Sequence, residues 1–319
     1  MEKAHQSPLV RAREKYEIGE IEKYEYVDYI NEQHSRLFEY ADFITGTDVA
    51  EICINASGVA LRSKTHGVVL SLDQVDLHAT PYTLLDFGNY EAAETVFLKS
   101  VFCDGSVFLD VGANLGWYSL VLARHCPASQ VFAFEPIPST VEALERNIYL
   151  NALDNIQVVN KGVSNQEGEF TFLFAPDVSG ATSLKLTGQD RGRTSIQNVV
   201  CKTTTIDAFC AAQNIIPSLL KIDVEGAELM VVQGAEKVLQ STPIILMELL
   251  RKWSKVFGYH PNDVFVLLKK YGYHAWVFRE DGLLEACPCV TEETVQTNYV
   301  FMHPHKHAKV ISQWEAPIR

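Results

Sequence analysis

The stretch that decides the fold is FLDVGANLGWYSL, residues 108–120. It is an apolar run, an acidic residue, a glycine-rich turn and a second apolar run, the outline of a nucleotide-binding turn between a strand and a helix. The dinucleotide fingerprint G-x-G-x-x-G asks for glycine at 112, 114 and 117, and the chain has Gly112, Asn114 and Trp117 there. The spacing present is D-x-G-x-N-x-G, from Asp110 to Gly116. Asparagine tolerates left-handed backbone better than other non-glycine residues, so Asn114 can stand where a turn glycine is otherwise needed.

Outward from this turn, apolar segments alternate with helical ones. SVFLDV (106–111), QVFAFE (130–135), IQVVN (156–160), LLKIDV (219–224) and IILMEL (244–249) read as strands. Between and after them, Val141, Leu144 and Ile148 make one helical stripe, Val231, Ala235 and Val238 a second, and Val264, Leu267, Leu268 and Tyr271 a third. This alternation predicts an α/β fold, a mostly parallel sheet with helices on both faces. GEFTFLFA (168–175) and VVCKTTTI (199–206) break the alternation as extra strands joined by a Gly/Ser/Thr/Asp-rich loop. Upstream, residues 51–72 read as a hairpin or three-stranded piece, and residues 1–48 as helical. Ile30, His34, Leu37, Ala41 and Ile44 fall on one helical face, which predicts docking onto the main domain or onto a second subunit, the latter giving a homo-oligomer through the N-terminal helices.

Composition narrows the function. The chain has 319 residues, 47% hydrophobic and 21% charged, enough for a large packed core. Its net charge of −13, with no Lys/Arg-rich cluster, argues against a long nucleic-acid partner. No run of eighteen apolar residues is present, so no membrane span is expected. The first residues lack a secretory apolar core, and seven scattered cysteines fit a reducing compartment, so a cytoplasmic protein is expected. Cys287 and Cys289 form a lone C-P-C with no second pair at zinc-ligand spacing, and HPHKH (303–307) reads as solvated tail rather than metal site.

In an open parallel sheet, ligands gather at the carboxyl ends of the strands. Asp110, Glu135 and Asp223 each fall at such an end. Glu135 is placed to accept both hydroxyls of a ribose, or else to start the helix that follows in EPIPST. The turn at Gly112–Gly116 admits the backbone-like part of a ligand without cradling a pyrophosphate, which suits S-adenosylmethionine. In KIDVEGAE (221–228), Asp223 and Glu225 alternate with Val224 and can face one cleft; otherwise Glu225 caps the next helix and Lys221 pairs with a surface acid.

These residues together resemble the FkbM-type family of S-adenosylmethionine-dependent methyltransferases. The matching pieces are GNYE (88–91), FLDVGANLGWYS (108–119), AFEPIPSTVEALERNIYLN (133–151), TTIDAF (204–209), KIDVEGAE (221–228), IILMEL (244–249) and NYVF (298–301). The resemblance implies a class I, Rossmann-like sheet of seven strands with the last antiparallel, and O-methylation of glycan, lipid-sugar or polyketide-type hydroxyls. It places Asp110, Gly112, Asn114 and Gly116 around the methionine part of the cofactor, Glu135 on the ribose, and Asp223 beside the transferred methyl. Gly88, Tyr90 and Glu91 enter the cofactor site from the N-terminal side, although Glu91 can also be read as an ordinary acid at a helix start. The organisation expected is a helical extension (1–48), a β/loop segment capping the site (49–95), the methyltransferase domain (96–305) and a polar tail (306–319). The loop 177–195 is where a substrate lid is expected.

A sugar or alkyl hydroxyl is a poor nucleophile and needs help from a base or a metal. Asp223 is the expected base, assisted by Glu225 or Glu248, and a magnesium-like cation bridging these carboxylates suits their oxygen ligands. The acceptor is expected to be a small-molecule or glycan hydroxyl. An amine, a nucleic-acid ribose, or a non-catalytic binding module are the alternatives.

Overall fold

The computed structural model describes residues 7–185 and 196–316. The strands β1 (Val49–Asn55), β2 (Gly58–Ser63) and β3 (Val69–Leu72) form an antiparallel meander. They are followed by β4 (Val107–Val111), β5 (Gln130–Phe134) and β6 (Ile156–Val159). A small side sheet comes next, from β7 (Gly162–Val163), β8 (Gly168–Phe174) and β9 (Gln197–Thr204). The chain then returns to the centre with β10 (Leu219–Ile222), β11 (Ile244–Glu248), β12 (His274–Phe278), β13 (Leu284–Ala286) and β14 (Asn298–Met302).

The central sheet runs β13-β12-β14-β11-β10-β4-β5-β6. β14 is antiparallel to both of its neighbours, as expected for the closing strand. The seven expected strands are present, and β13 adds a short eighth on the outer edge of β12. Three residues are too few to show a period, so the sequence gives no sign of it. From β4 the chain steps outward through β5 to β6, whereas β10 and β11 lie on the other side of β4. Strand order therefore reverses between β4 and β10, where a cleft opens beyond the carboxyl ends.

Alternation along the strands builds two cores. Leu109, Val111, Leu220, Ile222, Ile245 and Met247 pack on one face with Val231, Val238, Val264 and Leu268. Phe108, Leu219, Ile244 and Leu246 point the other way, to Phe97, Leu98, Leu120 and Leu122. A parallel strand covered by helices on both faces has to be apolar on both, which is why these strands read as continuous hydrophobic runs. The flanking helices are delimited by local chemistry. Thr205 caps Ile206–Gln213 by accepting from the Ala208 amide at 3.0 Å, and proline occupies the first turn of Pro138–Leu150.

Of the stripe expected on the helix Lys23–Phe43 and its C-cap, Ile44 packs on the core and Ile30 is half-buried, while His34, Leu37 and Ala41 are exposed in the single chain. That helix also packs against Pro8–Glu17, with Tyr16 and Tyr26 stacked at 4.9 Å. One reading changes: the C-terminal segment is not a solvated tail. His303 donates its backbone N–H to His307 Nδ1 at 2.9 Å, which opens the helix Ala308–Trp314. Val310, Ile311 and Trp314 of this helix pack on the core, and Trp276 Nε1 donates to Glu315 at 3.1 Å. All seven cysteines are free thiols.

Candidate active site

The turn after β4 is built from backbone that only particular residues can adopt. Gly112 has φ +84°, and a Cβ there would lie 1.8 Å from the Asp223 carbonyl oxygen, so glycine is what lets the end of β10 press against the turn. Asn114 is left-handed at φ 47°, the conformation its side chain tolerates best among non-glycines. Gly116 is at φ +89°, with Leu144 filling the space a Cβ would need. Asp110 lies beneath the turn, 1% exposed. Its Oδ2 accepts from the Ser119 amide at 3.1 Å and hydroxyl at 2.6 Å, pinning the helix Trp117–His125. Asp110 and Gly116 are therefore supports of the turn, while Gly112 and Asn114 line the cleft above it.

Glu135 lines the same cleft at the end of β5. Its Oε2 accepts from the Asn114 amide at 3.2 Å and its Oε1 from the Ile137 amide at 3.0 Å. A carboxylate has about four lone-pair directions, so room for a pair of hydroxyls is left. Burial pushes this carboxyl up to about 7, against the pull of the two amides. Lys161, Gly162, Val163, Phe172 and Leu184 continue the wall, an apolar slot with one cation.

At the other end of the cleft the acids converge. Lys221, 8% exposed, donates to Asp223 Oδ2 at 2.8 Å, and its ammonium sits 5.6 Å from the centre of the Tyr118 ring. The partner of Lys221 is thus Asp223 itself and not a surface acid. Glu91 begins the helix Ala92–Val101 in left-handed backbone but makes no capping bond with its side chain. Its carboxylate instead accepts from the Tyr118 hydroxyl and, at 3.4 Å, from Asn298 on β14. Burial raises the pKa of Glu91, with Lys221 opposing it.

Glu225 is left-handed at φ 51°, and its carbonyl accepts from Ser183 Oγ at 2.8 Å. Glu225 does not cap the helix Glu228–Gln233, which has no side-chain cap; Glu228 Oε1 braces the turn before it by taking the Gly226 amide at 2.9 Å, while its Oε2 takes the Tyr259 hydroxyl at 2.7 Å. Glu225 is free to face the cleft, and so is Glu248 at the end of β11. Burial, then Asp223, pushes Glu225 well above the usual carboxylate range and Glu248 up to about 10.

The structure brings Glu91, Gly112, Asn114, Glu135, Asp223, Glu225 and Glu248 onto one cleft. It also shows residues the sequence reading missed. Lys221 was visible as the same-face neighbour of Asp223, two positions away on a strand. Tyr118 and Asn298 carry no local signal, because each reaches Glu91 from a different element. Of the lid segment expected at 177–195, residues 186–195 lie outside the described residues; in the described part, Ser179, Gly180, Thr182 and Leu184 line the cleft. Ser179 Oγ donates to Asn114 Oδ1 at 3.0 Å, and the Ser179 amide to Asp76 Oδ2 at 3.1 Å. From the capping segment, His78, Thr80 and Tyr90 complete the lining.

A family model described as methyltransferase FkbM domain matches residues 110–275, just over half of the chain. Methyltransferase 1 of Beauveria bassiana is 29% identical over 153 residues, 42% of this chain and 60% of that protein. Methyltransferase sdnD of Sordaria araneosa is 28% identical over 155 residues, 40% and 60% of the two chains. Hexuronic acid methyltransferase AglP of Haloferax volcanii is 29% identical over 168 residues, 52% and 63%. The matches therefore span about 60% of the length of these relatives.

Proposed function

The chain belongs to the FkbM methyltransferase family, and from that membership we propose that it is an S-adenosylmethionine-dependent O-methyltransferase acting on a hydroxyl of a sugar, glycolipid or polyketide-type natural product. The observation that carries the reading is the position of Asp223: held by Lys221 at 2.8 Å, it shares one cleft with the turn Gly112–Asn114, with Glu135 and with Glu248. The name of the Haloferax relative, a hexuronic acid methyltransferase, supports a sugar as acceptor.

The residues suit the cofactor. The slot at Val163, Phe172 and Leu184 offers apolar surface to a purine, Glu135 has lone pairs left for the ribose hydroxyls, and the turn at Gly112–Asn114 presents backbone to the amino-acid part. When bound, S-adenosylmethionine would supply an electrophilic methyl carbon on a sulfonium, whose leaving group is a neutral thioether. The protein has to hold the acceptor oxygen about 3 Å from that carbon and keep water out. Asp223 takes the hydroxyl proton, and its ion pair with Lys221 fixes where it points. Ser179, tied to Asn114, covers the turn.

Calorimetry should show S-adenosylmethionine binding and no NAD binding, and radiolabelled methyl should pass to hydroxyl-bearing glycans rather than to RNA. Asp223→Asn should lower kcat by about 10²- to 10⁴-fold, the contribution of a positioned base. Activity near that of the parent would remove Asp223 from this role.

A further inference from the structure

We propose that Asp223, Glu225 and Glu248 are a binding site for a hard divalent cation of the magnesium or manganese class, which holds the acceptor hydroxyl in the cleft; this rests on the methyltransferase reading above. Each residue offers a carboxylate oxygen, and the three oxygens lie within 4.8 Å of one another. They come from three places in the chain: the residue after β10, the left-handed turn beyond it, and the end of β11. Three separate backbone positions aim at one point, and that point lies in the cleft that also contains Gly112 and Asn114.

The chain does not satisfy these carboxylates by itself. Glu225 Oε2 is sealed from water and has no hydrogen-bond partner among the described residues. Buried polar atoms are almost always partnered, and an orphan carboxylate oxygen calls for a donor or a cation that the chain does not supply. Lys221 does not meet the need, since its ammonium is engaged with Asp223 Oδ2 at 2.8 Å. Among the described residues no lysine or arginine forms an ion pair with Glu225 or Glu248. Three half-buried carboxylates sharing one lysine cannot all stay ionised, and their repulsion is what a divalent ion relieves.

The donor set selects the ion. All three ligands are carboxylate oxygens, with no thiolate or imidazole, which suits magnesium, manganese or calcium rather than zinc or copper. Three protein ligands leave half of an octahedral shell for water and for the acceptor oxygen. A cation held there would act as a Lewis acid on the hydroxyl, lowering its pKa and easing transfer of its proton to Asp223.

The test is a Mn²⁺ titration of the full chain, followed by the loss of the free-ion electron paramagnetic resonance signal, alongside calorimetry with S-adenosylhomocysteine. We expect one Mn²⁺ per chain, displaced by Mg²⁺, with affinity reduced at least about 10-fold in both Glu225→Gln and Glu248→Gln. Each replacement removes a carboxylate that burial disfavours, so the variants should fold, and far-UV circular dichroism checks this. A chain that binds S-adenosylhomocysteine but takes up no Mn²⁺ to millimolar concentration overturns the cation site and leaves the methyltransferase reading standing. Mn²⁺ uptake unchanged by both substitutions also overturns it. A chain that takes up Mn²⁺ at these carboxylates but binds no S-adenosylhomocysteine counts against the methyltransferase reading instead.

Discussion

Lys221 is a cation with little water around it. Burial alone would push its ammonium down, but Asp223, Asp110 and Glu91 together push it up. Removing it strands those carboxylates in the interior, so Lys221→Met should destabilise the fold by about 3–5 kcal/mol, read from urea unfolding. In a double-mutant cycle, Lys221→Met with Asp223→Asn should recover about 0.5–3 kcal/mol of that loss. Additive effects would show that the pair is not coupled. At this scale the site was legible where its chemistry is local. Asn114 and Glu135 announce themselves by spacing from the strands that carry them. Glu225 does not declare its role in the sequence, since an acid ahead of a helix can cap it or face the cleft, and only the left-handed turn, braced by Glu228 on the Gly226 amide, decides for the cleft.

Elements brought together from far apart in sequence explain what was not legible. β8 and β9 were readable as strands, but nothing in their pattern says that the segment leaving β8 folds back over Asn114. Nor does the run HPHKH reveal that its backbone and rings start a helix whose apolar residues reach the core. The central strands were readable because burial on both faces leaves a continuous apolar run, whereas β13 was too short for any pattern. The Ser179 contact has a measurable consequence. Ser179→Ala removes the bond to Asn114 at a cost of about 1 kcal/mol, which should raise KM for S-adenosylmethionine about 3- to 10-fold with kcat nearly unchanged. A fall in kcat at constant KM would place Ser179 in the chemical step instead.

On the scale of the whole molecule, buried acid makes stability depend on pH in an unusual direction. Glu135 is pushed up to about 7 and Glu248 to about 10, in both cases first by burial. An acid whose folded pKa lies above its unfolded value binds more protons in the native state across that interval, so its contribution falls as pH rises through it. For the ligand-free chain the window opens near 4.5 and runs to about 7 for Glu135 and about 10 for Glu248. Each proton of difference is worth up to about 1.4 kcal/mol per pH unit. Thermal unfolding from pH 5 to 8 should therefore show a steeper loss in the parent than in Glu248→Gln. Identical slopes would mean that Glu248 is ionised at no cost.

The cleft also extends past the stretch by which the family is recognised. Residues 110–275 contain the turn, Glu135 and the acids from Asp223 to Glu248, yet Tyr90 and Glu91 precede them and Asn298 follows. Chimaeras that exchange only the recognisable core between relatives would thus join the turn, Glu135 and Asp223 from one parent to Tyr90, Glu91 and Asn298 from the other. Such hybrids should fall below both parents wherever the residues that meet across those joins, as Glu91 meets Tyr118, differ between them.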